Sequence, residues 1–392
     1  MSTHLAAVST SKGQPFEVQS RATPKPGPGE LLVAVKSIAL NPADGVMRDG
    51  LLGIFIPNYP TVIGFDFSGL VLEIGDDVPT GTLDDSGGIT FQAGITRVAA
   101  YAAFFWRAFD PNYGAFQERC IVPWQHAVPL PDESMSWNHA ATLPVAVQVP
   151  LSAWDALGIH RIGKAGASAS ASLPSGNIAD ERGMKQKNKE QGEALLIWGA
   201  SSSVGTMGVQ SARLLKENHS SSCAAVYATA GQPNKDYVSS LGADRVFDYK
   251  DPGVVETIVA AAKEDELAIR HCFLATGQLG PCQAVLKAFD GEDGDGKEQR
   301  AKIGSAPIVP ADAKVVRGVE TIFLMPSMDE EERLKQFRYW MGTWCRENLA
   351  KGDIRPSPKP RVVGKGLAAI NKGIDLLLEG VSCTKLIIEL EE

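Results

Sequence analysis

Between an apolar run and a helical pattern lies the heptapeptide GASSSVG, residues 199 to 205. Small residues placed there let a chain turn sharply and bring backbone N–H groups against an anion at the start of a helix. The pyrophosphate of a dinucleotide is the anion such turns hold. The usual G-x-G-x-x-G spacing is not met, because its three positions fall on Ala200, Ser202 and Gly205 and only the last is glycine. Alanine and serine are still small enough for the turn, and a serine hydroxyl can donate to phosphate. The stretch Ala200, Ser201, Ser202, Ser203, Val204 and Gly205 is therefore read as a phosphate cradle. The competing reading is a strand–turn–helix that binds nothing.

The residues that follow bear on the cofactor. An NAD site places Asp or Glu at the end of the second strand, about 20 residues on, to bond the ribose 2′-hydroxyl. Here the second strand ends at Thr229 and continues AGQPNKDY, with Lys235 met before the first carboxylate, Asp236. A carboxylate would repel a 2′-phosphate, whereas an open strand end beside a cation accepts it. Charge-assisted hydrogen bonds to that phosphate contribute about 1.5–3 kcal/mol each. The balance favours NADPH, with Tyr249 placed to add a hydroxyl or stack beside the adenosine.

The elements that must position these residues follow from periodicity. The first third is β-rich: LLVAVKSIAL (31–40), TVIGFDFSGLVLEIG (61–75) and FQERCIVP (116–123) are β-branched or alternating runs cut by Pro and Gly. In the middle third LLIWG (195–199), AAVYAT (224–229), DRVFDY (244–249) and HCFLAT (271–276) alternate with helical stretches. That alternation predicts a parallel sheet covered on both faces. Two amphipathic helical regions and a terminal strand, KLIIEL, close the chain. Polar stretches at about 164–193 and at 290–300 read as surface excursions.

The 392 residues suffice for two domains. A net charge of −8 excludes a general affinity for nucleic acid or acidic membrane. No apolar run reaches the ~20 residues of a membrane helix, and the start, MSTHLAAVSTSKG, has no basic segment of the secretory type. The six cysteines are scattered, without a C-x-x-C pair, and read as reduced thiols. The expectation is a cytoplasmic protein.

In order along the chain, NPADGVMRDG (41–50), GFDFSGLVLEIGDDV (64–78), NYGAFQERCIVP (112–123), AATLPVAVQVPLSAW (140–154), LLIWGASSSVG and LGADRVFDYKDP resemble the medium-chain dehydrogenase/reductase superfamily. Within it the chain is most similar to the zinc-independent quinone oxidoreductase and enoyl reductase branch, and to the fungal trans-acting enoyl reductases that serve polyketide synthases. The resemblance implies an α/β protein, a Rossmann doubly wound parallel sheet plus a GroES-like β-barrel catalytic domain. Residues 1–148 and 329–392 would form the catalytic domain and 149–328 the NADPH-binding domain, with the active site in the cleft between them. It further implies Asn41 and Pro42 near the nicotinamide, residues 200–204 at the pyrophosphate, and Thr142 and Gly205 as further cofactor positions. Lys235 and Tyr249 would sit at the 2′-phosphate, Thr229 would be a further cofactor position, and Ala275 and Thr276 would flank the nicotinamide ribose.

Departures from the pattern matter. Zinc alcohol dehydrogenases carry G-H-E where this chain has Gly64-Phe65-Asp66, and the catalytic cysteine position is taken by the NPAD segment. Zinc needs three or four Cys, His or carboxylate ligands in a tight group, and none of the six histidines pairs with a cysteine at ligand spacing; no metal is expected. Val46 stands where many relatives have lysine, with Arg48 a substitute, and Gly231 where many have serine. Without a metal, the economical reaction is hydride delivery to an electron-poor C=C of an enoyl thioester or enone. Tyr59 and Tyr113, on segments that face the cleft in relatives, are the candidate donors to the developing oxyanion, each weighed against a packing role. His126, His139, Trp154, Trp340 and Trp344 read as structural. A quinone reductase for small electrophiles and a catalytically silent NADPH-binding regulator remain open. So do a polyketide synthase partner, and a monomer or a homodimer paired through 315–326.

Overall fold

The strand ELLVAVKSIA is buried on nearly every residue, and mostly apolar, because both of its faces are covered. It is β3 (Glu30–Ala39) of the first unit, preceded by the hairpin of β1 (Thr3–Val8) and β2 (Glu17–Ala22) and followed by the short helix α1 (Pro42–Asp49). Four strands follow: β4 (Asp66–Ile74), β5 (Arg97–Tyr101), β6 (Arg119–Pro123) and β7 (Ala127–Pro129). Strand β3 pairs antiparallel with β4 along its length and with β6 over its first half. Register shifts at Leu32/Val33 and Val35/Ser37 bend it, as bulges do where a sheet curls. This computed structural model describes residues 2–51, 56–81, 88–161, 192–218, 221–289 and 301–390. The polar stretch at 290–300, and that at 164–193 save its last two residues, lie outside them.

After α2 (Trp137–Ala141) and α3 (Leu143–Leu157), six strands build the second unit: β8 (Glu193–Trp198), β9 (Cys223–Thr229), β10 (Arg245–Phe247), β11 (His271–Leu274), β12 (Ala301–Ser305) and β13 (Val319–Phe323). All pair in parallel in the order β10-β9-β8-β11-β12-β13. The chain thus starts in the middle and winds out twice, so the order reverses between β8 and β11. That switch point is where doubly wound sheets open a ligand crevice at the carboxyl ends of their strands. The intervening helices are α4 (Ser203–Glu217), α5 (Lys235–Ser239), α6 (Val254–Glu264) and α7 (Leu279–Lys287). One face of the sheet buries Leu196, Trp198 and Tyr227 with Ile258, Ala262, Val285 and Leu286 of α6 and α7. Helix α5 is shorter than the pattern PNKDYVSSLGA predicts.

The chain then returns to the first unit. Asp329 caps α8 (Glu330–Phe337) through the N–H of Glu332, and a π-helical stretch, Arg338–Cys345, joins it to α9 (Arg346–Lys351). Trp340 and Trp344 are buried there, and Trp154 in the second unit, as core aromatics. Strand β14 (Pro360–Lys365), α10 (Ile370–Leu378) and β15 (Lys385–Glu389) complete the first unit. β15 pairs with the far half of β3, giving a seven-stranded sheet in which six strands follow the path β14-β15-β3-β4-β5-β7 and the seventh, β6, pairs with β3. The compact units are residues 1–148 with 326–392, and 149–325.

Candidate functional site

In the second unit, β8 ends at Trp198 and the turn begins with Gly199 at φ +78°. A Cβ on Gly199 would lie 2.6 Å from the carbonyl oxygen of Thr276, and one on Gly205 2.3 Å from the carbonyl oxygen of Gly199. These two positions cannot carry a side chain without displacing backbone, so the turn keeps its glycines, the first one residue earlier than the fingerprint register places it. Ser202 is the N-cap of α4: its hydroxyl accepts from the N–H of Gly205 and donates to the carbonyl of Gly199. That hydroxyl serves the helix. Ser203 differs, since its Oγ is buried with no hydrogen-bond partner among the described residues. The N–H groups of Ser203 and Val204, in the first turn of α4, have no partner four residues back in the helix. An orphaned hydroxyl beside orphaned helix-start donors fits a phosphate.

The neighbouring strand ends support this turn. Thr229, wholly buried, accepts the N–H of Gly199 on its Oγ1 and that of Ala200 on its carbonyl. It braces the turn from within the protein. Ala275 follows β11 and donates its N–H to the carbonyl of Trp198, which brings Thr276 against Gly199. Beyond β9, Lys235 opens α5 half-buried and makes no ion pair among the described residues. Tyr249 is 45% exposed, its ring beside Gly231: a Cβ added there would lie 3.7 Å from Tyr249 Cε1. Within this unit the carboxyl ends of β8, β9 and β11 therefore gather the residues expected at a dinucleotide, with no carboxylate between Thr229 and Lys235.

The first unit holds a polar network that the sequence reading found only in part. Asn41 follows β3, Asp66 begins β4 and Lys385 begins β15, and the strand registers bring the three together. Lys385 Nζ donates to Asn41 Oδ1 at 2.6 Å and to Asp66 Oδ2 at 2.9 Å; Asn41 Nδ2 donates to Asp66 Oδ2 at 3.0 Å and to the carbonyl of Ala39 at 3.3 Å. The other oxygen of Asp66 accepts the N–H of Val145, in the first turn of α3, at 2.7 Å, where the helix dipole favours an anion. Asp44 accepts the N–H of Asn41 on Oδ2, while its Oδ1 has no partner among the described residues. Burial pushes the Asp44 carboxyl up to about 8, Asp66 adding to the shift against the pull of Lys385. At neutral pH Asp44 is thus a neutral acid beside a buried ion pair.

The remaining expected residues take defined places in the same unit. Pro42 is the exposed first residue of α1. The buried Thr142 donates its hydroxyl to the carbonyl of His139 and so closes α2. Tyr113 donates to Glu30 Oε1 at 2.7 Å, and burial together with that carboxylate raises its phenol. Tyr59 has a buried hydroxyl with no partner among the described residues, its phenol raised by desolvation. Arg48 pairs with Asp49 and with Asp375 of α10, so its guanidinium is committed within the protein. His126 is buried, stacked on Phe337 at 3.8 Å, and desolvation holds it down to about 3. Among the described residues no three His, Cys, Asp or Glu side chains converge to hold a metal ion, and no helix is long and apolar enough to cross a membrane.

Comparison with known proteins matches residues 27–132 to the alcohol dehydrogenase GroES-like domain. The trans-enoyl reductase tndF of Aspergillus flavipes is 35% identical over 390 residues, covering 99% of either chain. The chain belongs to the trans-enoyl reductase family of the medium-chain dehydrogenase/reductase superfamily. The trans-enoyl reductase tazE of Aspergillus terreus is 36% identical over 335 residues, 85% of this chain and 95% of that one. An alcohol dehydrogenase superfamily protein from Novosphingobium aromaticivorans superposes with a TM-score of 0.70 at 19% identity, over 99% of this chain and all of the other, which shows the shared fold. The Rossmann sheet and the GroES-like domain expected from the sequence are both present. The protein is an oxidoreductase of a superfamily that binds a nicotinamide cofactor.

Proposed function

We propose that this oxidoreductase uses NADPH to reduce an electron-poor C=C, in an enoyl thioester or enone, without a metal. We further propose that it acts in trans on acyl chains carried by a polyketide synthase. The observation that carries the cofactor reading is the open end of β9, where Lys235 and Tyr249 stand and no carboxylate blocks a 2′-phosphate. The names of the relatives, trans-enoyl reductases, support the substrate class.

When bound, the reduced nicotinamide supplies the hydride. The Ser203 hydroxyl and the N–H groups of Ser203 and Val204 would hold the pyrophosphate, and Lys235 would neutralise the 2′-phosphate. Asn41, Pro42, Thr142, Ala275 and Thr276 are assigned to the nicotinamide end. As a hydride joins the β-carbon, the electron pair of the C=C shifts to the carbonyl oxygen; the α-carbon then takes a proton from water. A donor at that oxygen lowers the barrier. Of the two tyrosines, Tyr113 already donates to Glu30 while the Tyr59 hydroxyl has no partner among the described residues, so Tyr59 is the donor we assign.

The test is titration of the purified protein with NADPH and NADH, followed by reduced-nicotinamide fluorescence. NADPH oxidation is then monitored with enoyl thioesters, enones and quinones. Selective NADPH binding, lost in Lys235→Ala by about 10–100-fold, is expected, with enoyl thioesters as the best acceptors. Equal affinity for the two cofactors overturns the 2′-phosphate assignment. Quinones as the only acceptors overturn the substrate class.

A further inference from the structure

A buried ion pair is a poor way to gain stability, since well-packed apolar residues of like volume commonly do as well or better. The pair formed by Lys385 and Asp66 is 3% and 0% exposed and comes from two strands that begin at the same end of the curled sheet. Between them lies the amide of Asn41, and the chemistry of the pair dictates its orientation. The carbonyl oxygen must face the ammonium, and the amide nitrogen must face the carboxylate. Turning the amide over would set its N–H groups against the ammonium and its oxygen against the carboxylate, replacing two attractive contacts by two repulsive ones. Both amide hydrogens are used, on Asp66 Oδ2 and on the carbonyl of Ala39. The backbone is tied as well, because Asp44 Oδ2 accepts the N–H of Asn41.

We propose that Lys385 and Asp66 are positioning residues that lock the Asn41 amide, and through it the Asn41-Pro42 entry to α1, in the one orientation that receives the nicotinamide end of the cofactor. The inference rests on the assignment of Asn41 and Pro42 to that end. Lys385 and Asp66 act through Asn41 and need touch neither substrate nor cofactor.

The experiment separates the two ends of the cofactor. Asn41→Ala, the charge-neutral pair Lys385→Met with Asp66→Asn, and the triple variant are compared with the unaltered chain. Three readouts are taken: the affinity for NADPH, the affinity for adenosine 2′,5′-bisphosphate, which lacks the nicotinamide, and kcat with a crotonyl N-acetylcysteamine thioester. NADPH affinity or kcat should fall by about tenfold or more in the single and double variants, while bisphosphate affinity stays within about twofold. The triple variant should be no worse than the more impaired of the two, since residues that act through one another are not additive. Equal weakening of both ligands means a general structural role and overturns the proposal, as do additive losses or unchanged NADPH affinity and kcat. If the paired variant does not fold, Lys385→Arg, which keeps the cation but moves the donor, must show the same split between the two ligands or the proposal fails. Failure of the unaltered chain to bind the bisphosphate sinks the NADPH reading itself, a result distinct from all of these.

Discussion

Replacing Asp44 by asparagine is expected to stabilise the protein, by an amount that grows with pH. The carboxyl group is wholly buried and is raised from 3.8 to about 8, chiefly by desolvation, with the charge of Asp66 adding to the shift and that of Lys385 opposing it. The folded state therefore keeps a proton that the unfolded chain releases. A folded-state value above the unfolded one gives stability that is complete below pH 3.8 and is lost as pH rises to about 8. At pH 7 the chain stands 3.2 units above the unfolded value, which at about 1.36 kcal/mol per unit is roughly 4 kcal/mol. Asparagine occupies the same space, accepts the Asn41 N–H through its carbonyl oxygen, and never ionises. The assay is denaturant titration of both proteins from pH 5 to pH 9. Tryptophan emission is weighted toward this unit, which contains Trp106, Trp124, Trp137, Trp340 and Trp344, the other unit holding Trp154 and Trp198. The difference between the two proteins should climb with pH to about pH 8 and then level, other titrating groups cancelling. A difference that is flat with pH, or an asparagine variant less stable at pH 8, refutes the assignment of a buried neutral acid.

Three shorter predictions accompany it. The buried His126, held down to about 3, is neutral in the fold; its contribution is full above the unfolded value near 6.5 and is lost at about 1.4 kcal/mol per pH unit as pH falls below it. Its imidazole carbon signals, in protein labelled with 13C-histidine, should not titrate between pH 8 and pH 5. Gly205→Ala puts a Cβ 2.3 Å from the Gly199 carbonyl oxygen and 2.8 Å from Ala200 Cα, so NADPH affinity by fluorescence titration should fall by about tenfold or more. Gly231→Ser meets nothing nearer than Tyr249 at 3.7 Å, with φ −64°. Its hydroxyl should tighten NADPH by about 2–10-fold, the worth of one hydrogen bond, and leave NADH unchanged, as isothermal calorimetry with either cofactor would show.

The parallel sheet was legible because its strands are short apolar runs, such as LLIWG and AAVYAT, separated by helical patterns. The hairpin of β1 and β2 was not, because EVQSRA is exposed on nearly every residue and offers no alternation to read. Adjacent serines were equally opaque. Ser202 and Ser203 are chemically identical, and only the start of α4 decides that one hydroxyl caps the helix while the other is left without a partner. The fingerprint glycines misled by one residue, since the left-handed turn falls on Gly199 and the spacing pattern starts counting at Ala200.

The buried network of the first unit could have been suspected from composition alone. Asp66 interrupts VIGFDFSGL and Lys385 opens KLIIEL, a carboxylate and an ammonium inside runs that otherwise read as core strands. Either charge alone in such a strand would cost several kcal/mol, so each requires a partner of opposite sign. Within the described residues, the two satisfy each other at 2.9 Å. What sequence cannot supply is the third member. Asn41 lies outside any strand, and its capture depends on β15 and β4 both beginning beside the end of β3, a register set by residues along all three strands. Polar residues in core strands therefore mark a network's existence, whereas the side chain that the network orients, and hence its use, is decided by where the strands end.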